Sequence, residues 1–200
     1  RKPKWLIGFS DITVLHQRLQ RFEIPSLHAT VPLNFESNSQ EAKDSLLKAL
    51  TDHDCSITTS PTPSNKPGMV VGTLVGGNLS VLQSLIGSDD QLDYTNKILF
   101  IEDIAEAPYR IDRMLSTLAL NGTLKQIKGL VFGECTDCEP EHGYGNLTLD
   151  QILQDYVLPL QIVPQHVCFI TLPSTSPAHA AMSFDAKLAQ WQQLRVYLHS

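Results

Sequence analysis

The sequence predicts an α/β fold in two parts. Short apolar runs typical of buried strands alternate along the chain with segments of helical periodicity. A polar stretch with three prolines, TTSPTPSNKPG at 58–68, separates a first set of these elements from a second. Of the 200 residues, 42% are hydrophobic, which is enough for a packed core. We therefore expect domains at 1–57 and 69–200, joined by a linker at 58–68.

In the first part, WLIGF at 5–9 predicts a short buried strand that leads directly into Ser10. Apolar residues spaced by three and four then predict a helix that ends before Pro25, with its inward face formed by Ile12, Leu15, Leu19 and Phe22. A second helix is expected near 38–51, with Ser37 and Gln40 as a capping box. Its inward residues are expected to be Ala42, Leu46, Leu47 and Leu50.

The second part begins with a strand near 69–75, a tight turn at Gly76-Gly77-Asn78 and a helix closed by Gly87. KILFIED at 97–103 and IKGLVFGE at 127–134 predict strands, and the helix between them, 107–122, makes a parallel crossover. In that helix Pro108 lies in the first turn and Asn121-Gly122 gives the stop. A helix near 148–157, a strand at 167–172 and a hairpin over 182–198 complete the prediction.

Composition limits the partners. The net charge is -6 and the 15 Lys and Arg residues are scattered, so we expect no nucleic-acid partner. No apolar run reaches the roughly 18 residues of a membrane helix, so we expect no membrane partner. The chain opens on Arg1 without a Met and enters a strand-like run almost at once. We interpret it as a fragment that lacks an upstream portion.

The four cysteines, at 55, 135, 138 and 168, are too sparse for a disulfide scaffold. Cys135 and Cys138 form a CxxC pair with His142 four residues beyond. Half of a zinc site, a redox pair and two ordinary thiols are all compatible with this spacing, and the last is favoured because no second CxxC follows.

Three side chains and one turn are candidates for chemistry. Ser10 lies between a strand and a helix, where it either caps the helix or is an exposed nucleophile at an elbow. Glu102 ends a buried strand and is either a solvated carboxylate, a cap for the next helix or a site residue. His179 lies in the loop PSTSPAHAAMSF and is either a surface residue or a base. The turn at 76–78 is either structural or an anion site at a helix start.

Four stretches follow one another along the chain: WLIGFSDIT, VGGNLSVLQSLIG, KILFIEDIAEAPYRIDRMLSTL and GLVFGECTDC. Together they resemble the LD-carboxypeptidase family of serine peptidases, which includes the microcin C immunity peptidases. The resemblance covers nearly the whole chain, and its most specific block runs from Glu102 to Arg113. It implies an active site between an N-terminal and a C-terminal α/β domain, the latter with a small parallel or mixed sheet. Of the first domain, this chain would keep a remnant with the nucleophile strand, elbow and helix.

The resemblance implies a Ser–Glu–His triad of Ser10, Glu102 and His179, without metal or cofactor. A serine needs an adjacent base, and the base needs a third group to orient it. Ala178 replaces the glycine that usually precedes the family's histidine. The Asp11 N–H is expected to stabilise the oxyanion and His28 to line the site. The substrate carboxylate is expected at Gly76, Gly77 and Asn78, or at Arg110 or Arg113 if these turn inward.

The expected function is removal of the terminal D-alanine from murein tetrapeptides by a cytoplasmic enzyme during cell-wall recycling. A homodimer is compatible with this expectation, and the fragment by itself is expected to be deficient in activity. A microcin-immunity-like amidase is the nearest alternative, although neither Trp5 nor Trp191 lies in an obvious site loop to stack on a base. A non-catalytic binding relative, with Ser10 as a cap, is a second alternative. A zinc enzyme built on Cys135, Cys138 and His142 is a third.

Overall fold

The structure, a computed structural model, describes residues 4–51, 56, 68–138 and 147–157. Within these ranges the chain is α/β, with one parallel sheet of two strands and one of three. This confirms the predicted fold class. Most of the predicted linker, the strand at 167–172 and the hairpin over 182–198 lie outside the described residues.

The first sheet pairs β1 (Ile7–Gly8) with β2 (Leu27–His28). Between them the chain makes a 3-10 turn, Ser10–Ile12, and continues directly into α1 (Thr13–Gln20). The two strands are parallel, with Gly8 beside His28. The predicted strand at 5–9 is thus present in shorter form, and the chain leaves it for a helix at Ser10.

The inward face of α1 differs from the predicted one. Thr13, His16 and Gln17 are buried, whereas Leu15 is 48% exposed and Phe22, beyond the helix end, is 63% exposed. The prediction from apolar spacing was therefore wrong for Leu15 and Phe22, whereas Ile12 and Leu19 are half-buried. The physical reason is that the buried polar side chains hydrogen-bond to other elements.

The next helix, α2 (Gln40–Thr51), follows a 3-10 turn at Pro32–Asn34. The predicted capping box is absent, because the Ser37 hydroxyl donates to the Asn34 carbonyl and Ser39 accepts the Ala42 N–H. Ala49 is the buried residue of this helix, and the predicted core residue Leu47 is 58% exposed. Helix position was predicted correctly here, and its cap and part of its inward face were not.

The second sheet has the order β3 (Leu74–Asn78), β4 (Ile98–Ile104), β5 (Gly129–Thr136), all parallel. Among the described residues four helices accompany it: α3 (Leu79–Ser84), α4 (Pro108–Leu120), α5 (Thr123–Gln126) and α6 (Leu149–Val157). The core between sheet and helices includes Leu79, Leu99, Ile101, Ile111, Leu115, Leu118, Leu130 and Phe132. As predicted, α4 begins at Pro108 and is followed by Gly122 in a left-handed conformation.

The Gly76-Gly77 pair does not form the predicted turn. Both residues belong to β3, where they pair with Phe100 and Ile101, and Asn78 is at once the last residue of the strand and the N-cap of α3. A side chain at Gly77 would collide with Thr13, since an added Cβ would lie 2.5 Å from the Thr13 Oγ1. The glycine therefore lets α1 pack directly against the strand. No helix among the described residues combines the length and hydrophobicity of a membrane span.

Candidate active site

Ser10 lies at a sharp change of direction. Phe9 is extended, with φ near -146°, whereas Ser10 has φ near +60° and opens the 3-10 turn. A positive φ costs a non-glycine residue about 1–2 kcal/mol, so the fold holds this serine in a strained conformation. The cap of α1 is Ile12, and no side chain caps either this helix or the turn before it. The geometry is that of an elbow that presents a half-buried hydroxyl.

The elbow is supported from beneath by His16. Its Nε2 lies 3.0 Å from the Gly8 carbonyl oxygen and its Nδ1 lies 2.7 Å from the Ser26 hydroxyl. A carbonyl oxygen only accepts, so Nε2 donates to it, and in the neutral ring Nδ1 accepts from Ser26. Burial lowers the pKa of His16, against the opposing effect of the Gly8 hydrogen bond. His16 is thus a neutral side chain whose hydrogen bond fixes the position of Gly8, two residues before the serine.

Helix α1 is bound to the second sheet by two further hydrogen bonds. The Asn78 N–H donates to the Thr13 hydroxyl at 3.0 Å, and the Gln17 amide donates to the Gly76 carbonyl oxygen at 2.9 Å. Both hydrogen bonds link α1, the helix that follows Ser10, to the C-terminal half of strand β3. The serine elbow therefore has a fixed place relative to the sheet that carries Glu102.

Glu102 lies on β4 beside Asn78 of β3 and opposite an irregularity in β5. Ile101 pairs with Phe132 but Asp103 pairs with Cys135, so two residues of β5 face Glu102. This is a β-bulge, a feature that commonly re-aims a side chain near an active site. An added Cβ on Gly133, within the bulge, would lie 2.9 Å from the Glu102 Cβ. The glycine leaves room for the glutamate.

Burial, together with the charge of Asp103, raises the pKa of Glu102 to about 7, while a hydrogen bond from Asn78 acts in the opposite direction. Its Oε1 is buried and has no hydrogen-bond partner among the described residues. Buried carboxylate oxygens are nearly always paired. This oxygen is therefore available to a donor from outside the described ranges.

His28 joins the two sheets at this point. It pairs with Gly8 on the first sheet, and its Nε2 lies 3.8 Å from the Glu102 Oε1. That distance is too long for a hydrogen bond. Burial, assisted by His16, lowers the pKa of His28 to about 4, so the ring is neutral and the contact is not an ion pair at neutral pH. The ring packs edge-on against Phe100 at 5.3 Å. His28 thus lines the space next to Glu102.

Asp103 is almost fully buried beside Glu102. It accepts hydrogen bonds from the Asn78 amide, the Ser80 N–H and the Ile104 N–H. These bonds oppose the rise in its pKa that burial causes. Because the Val81 N–H donates to the Asn78 side chain and the Asn78 N–H to Thr13, these donors at the start of α3 are already bonded within the chain. The predicted helix start thus faces a carboxylate of the protein itself.

The remaining predicted residues are placed as follows. Asp11 is exposed in the 3-10 turn directly after Ser10. Arg110 and Arg113 are exposed on α4, where each lies over the ring of Tyr109, so neither turns inward. His179, His142 and Trp191 lie outside the described residues. Within the described ranges no three His, Cys, Asp or Glu side chains are grouped as metal ligands.

Comparison with known proteins identifies the family of the chain. The model of the LD-carboxypeptidase C-terminal domain matches residues 71–169. A Bacillus subtilis protein named as a probable murein peptide carboxypeptidase is 36% identical over 164 residues, covering 79% of this chain and 51% of the relative. The chain belongs to the LD-carboxypeptidase family.

Solved structures share the fold. A muramoyltetrapeptide carboxypeptidase from Oxalobacter formigenes superposes with a TM-score of 0.73 at 27% identity, covering 86% of this chain and 59% of that one. The microcin C7 self-immunity protein MccF, in complex with aspartyl sulfamoyl adenosine, gives 0.67 at 21% identity, with coverages of 84% and 58%. The chain spans about half the length of the relatives it matches.

Sequence reasoning missed His16, Thr13 and Asp103. Thr13, His16 and Gln17 are spaced by three and one, which places them on one helical face, and this polar periodicity was the available signal. Asp103 gave no comparable signal. Its bonds to Asn78 and Ser80 cross from one strand to the next and depend on the register of the sheet.

Proposed function

We propose that this chain is part of a serine carboxypeptidase that cleaves the L,D-amide bond before the terminal D-alanine of murein tetrapeptides. The observation that carries the proposal is Ser10, strained at a strand-to-helix elbow in a chain of the LD-carboxypeptidase family. The substrate class comes from the relatives, which are named for murein peptides and muramoyltetrapeptides.

Ser10 acts as the nucleophile. His179 removes the proton from its hydroxyl as the Oγ attacks the amide carbonyl, and the Asp11 N–H stabilises the oxyanion that forms. His179 then gives the proton to the departing D-alanine nitrogen, which leaves an acyl-enzyme for water to hydrolyse. His28 lines the site, and Gly76, Gly77 and Asn78 hold α1 and Glu102 in register.

Glu102 orients His179 in this scheme. Its unpartnered Oε1 supplies the acceptor that a ring N–H of the base requires. Only the ionised carboxylate stabilises the imidazolium, and the pKa of Glu102 is raised to about 7. In the free enzyme kcat/KM should therefore rise as the pH increases through about 7.

The division of the chain into a nucleophile segment at 1–57, a linker at 58–68 and a domain at 69–200 belongs to this proposal. The family's C-terminal domain model begins at residue 71, which supports that boundary. An enzyme of murein-peptide recycling would act in the cytoplasm, without metal, nucleic acid or membrane partner, and its family would allow a homodimer.

The test uses the full-length protein that contains these residues. It is incubated with L-Ala-D-Glu-diaminopimelate-D-Ala, and release of D-alanine is followed with EDTA present and absent. Ser10→Ala should lower kcat by on the order of 10⁴-fold or more. Ser84→Ala, on the exposed end of α3, is the matched serine control and should leave the rate unchanged.

Two further variants test the other triad members. His179→Ala should lose activity, and Glu102→Gln should lower kcat by about 10² to 10⁴-fold. Glu106→Gln removes the ion-pair partner of the exposed Arg110 and should leave kcat unchanged. Release that survives Ser10→Ala would move the nucleophile elsewhere and refute the proposed mechanism.

The second candidate is a microcin-immunity-like amidase, favoured by the fold shared with MccF. Trp5, a candidate to stack on the base of such a substrate, is 41% exposed. A folded protein that releases no D-alanine but hydrolyses an aminoacyl sulfamoyl adenosine in a Ser10-dependent manner would establish this reading. A protein that does neither would be the binding relative.

A further inference from the structure

Cys135 and Cys138 have no part in the proposed hydrolysis, yet they lie beside its glutamate. Cys135 is on β5 in register with Asp103, one residue after Glu102 on β4. The strand ends at Thr136, and Asp137 adopts a positive φ of about 56° that turns the chain back. Both thiols are free and partly buried against the core.

The reversal at Asp137 brings the two side chains together. The Cys138 thiol lies 3.4 Å from the carbonyl oxygen of Thr136, the first of the two residues between the cysteines. Each thiol also acts on the pKa of the other, and together with the turn at Asp137 this places the two side chains close to each other. Two neighbouring thiols need little movement to form a disulfide, which requires their Cβ atoms to be roughly 4 Å apart.

The environment makes the two thiols unequal. The hydrogen bond from Cys135 lowers the pKa of Cys138, assisted by the Glu106 backbone and opposed by burial. The same hydrogen bond, with burial and the nearby charges of Cys138, Asp103 and Glu102, raises the pKa of Cys135. A thiol of lowered pKa next to a thiol of raised pKa is the usual arrangement of an attacking cysteine and its resolving partner.

We propose that Cys135 and Cys138 form a peroxide-reactive dithiol site that closes to an intramolecular disulfide. The Cys138 thiolate attacks one peroxide oxygen, the O–O bond breaks, and Cys138 becomes a sulfenic acid while water or an alcohol leaves. The Cys135 sulfur then attacks the Cys138 sulfur and expels a second water. In sum, two thiols and one peroxide give one disulfide, one water and one water or alcohol. This site goes beyond the proposed hydrolase function and does not depend on it.

The test treats the reduced full-length protein with stoichiometric hydrogen peroxide, blocks free thiols with N-ethylmaleimide and digests the unfolded product with a glutamate-specific protease. Cleavage after Glu134 and Glu141 isolates residues 135–141, which contain this cysteine pair and neither of the other two cysteines. We expect the peptide to be two hydrogens lighter and unalkylated, and doubly alkylated after dithiothreitol. A peptide that stays doubly alkylated after peroxide would overturn the proposal.

Two variants and one control assign the roles. Cys135→Ser should trap the sulfenic acid on Cys138, seen as a dimedone adduct, while Cys138→Ser should lose the adduct and the fast reaction. The same protein in urea is the matched control, because unfolding removes the contact between the thiols and should slow closure. Closure that is equally fast in urea, or an adduct on Cys135 alone, would refute the assignment.

Discussion

The strained conformation of Ser10 leads to a prediction at the residue scale. Serine and alanine both carry a Cβ that a φ of +60° disfavours, whereas glycine does not. We expect Ser10→Ala to be as stable as the wild type within about 0.5 kcal/mol. Ser10→Gly should be more stable than Ser10→Ala by about 1 kcal/mol. Urea unfolding of the three proteins measures this.

The order of stabilities separates the two readings of this serine. If its hydroxyl capped a helix, Ser10→Ala would lose about 1 kcal/mol and Ser10→Gly a few tenths. If the serine is strained instead, the free energy of unfolding of Ser10→Gly equals or exceeds that of the wild type. A clear loss of stability in both variants would contradict the elbow.

The buried carboxyl of Glu102 predicts a pH dependence of stability. Because burial raises its pKa to about 7, the folded chain keeps a proton that the unfolded chain releases. The resulting stabilisation is complete below the ordinary pKa of 4.5 and is lost as the pH rises through about 7. Glu102→Gln keeps the neutral form at every pH. It should match the wild type near pH 4 and exceed it near pH 8, by up to about 3 kcal/mol.

The free energies of unfolding of the wild type and of Glu102→Gln, measured across that pH range, test this prediction. Two curves that stay parallel from acid to alkaline pH would show that the carboxyl is not buried as described. A wild type that gains on the variant as the pH rises would reverse the sign and indicate a cationic partner.

At the scale of elements, the buried polar face of α1 gives an unusual expectation. Thr13→Val keeps the side-chain shape and adds an apolar group, but it leaves the buried Asn78 N–H without its acceptor. We expect a loss of about 2 kcal/mol, the usual cost of such an orphaned donor. Leu15→Ala on the exposed face should change stability by less than about 0.5 kcal/mol.

Thermal or urea unfolding of these two variants tests the orientation of the helix. An amphipathic helix packed by its leucines would give the opposite ranking. A Leu15→Ala loss larger than that of Thr13→Val would therefore restore the interpretation that apolar spacing suggested.

How far the sequence predicts an element depends on where its partners lie. Helix α4 was predicted well because its signals are local: Pro108 at the start, Gly122 after the end, and a regular apolar face that includes Ile111 and Leu115. The face of α1 was not, because Thr13 and Gln17 bond to residues about sixty positions away. No local pattern specifies such partners.

The candidate site shows the same limit. The elbow at Ser10 and the position of Glu102 near the end of a buried strand could be predicted from the residues around them. The bulge opposite Glu102 could not, because it arises from the register between β4 and β5. Nor could the two sulfur atoms be placed beside the glutamate without that register.

At the scale of the molecule, the described part of the chain should have two levels of stability. The three-stranded sheet has an apolar core that includes Leu115, which is fully buried. The buried residues of helix α1 are polar, and two of them attach it to that sheet by hydrogen bonds. Elements with few buried apolar contacts open at lower free energy, so the backbone amides of α1 should exchange with solvent faster than those of β4.

Hydrogen exchange on two variants measures the opening free energies of α1 and β4. Leu115→Ala should lower the protection of β4 by about 2–5 kcal/mol and change that of α1 little. Thr13→Val should do the reverse. If each variant lowers the protection of α1 and of β4 by the same amount, the chain unfolds as one cooperative unit and the two levels of stability do not exist.

The polar attachment of α1 also determines how the nucleophile segment responds to temperature. Apolar burial carries a large heat capacity and weakens on cooling, whereas exposure of polar groups changes the heat capacity in the opposite direction. A helix docked through Thr13 and Gln17 should therefore detach with little change in heat capacity. Cooling should therefore weaken this attachment less than it weakens an apolar interface. The serine should keep its position relative to the sheet at low temperature.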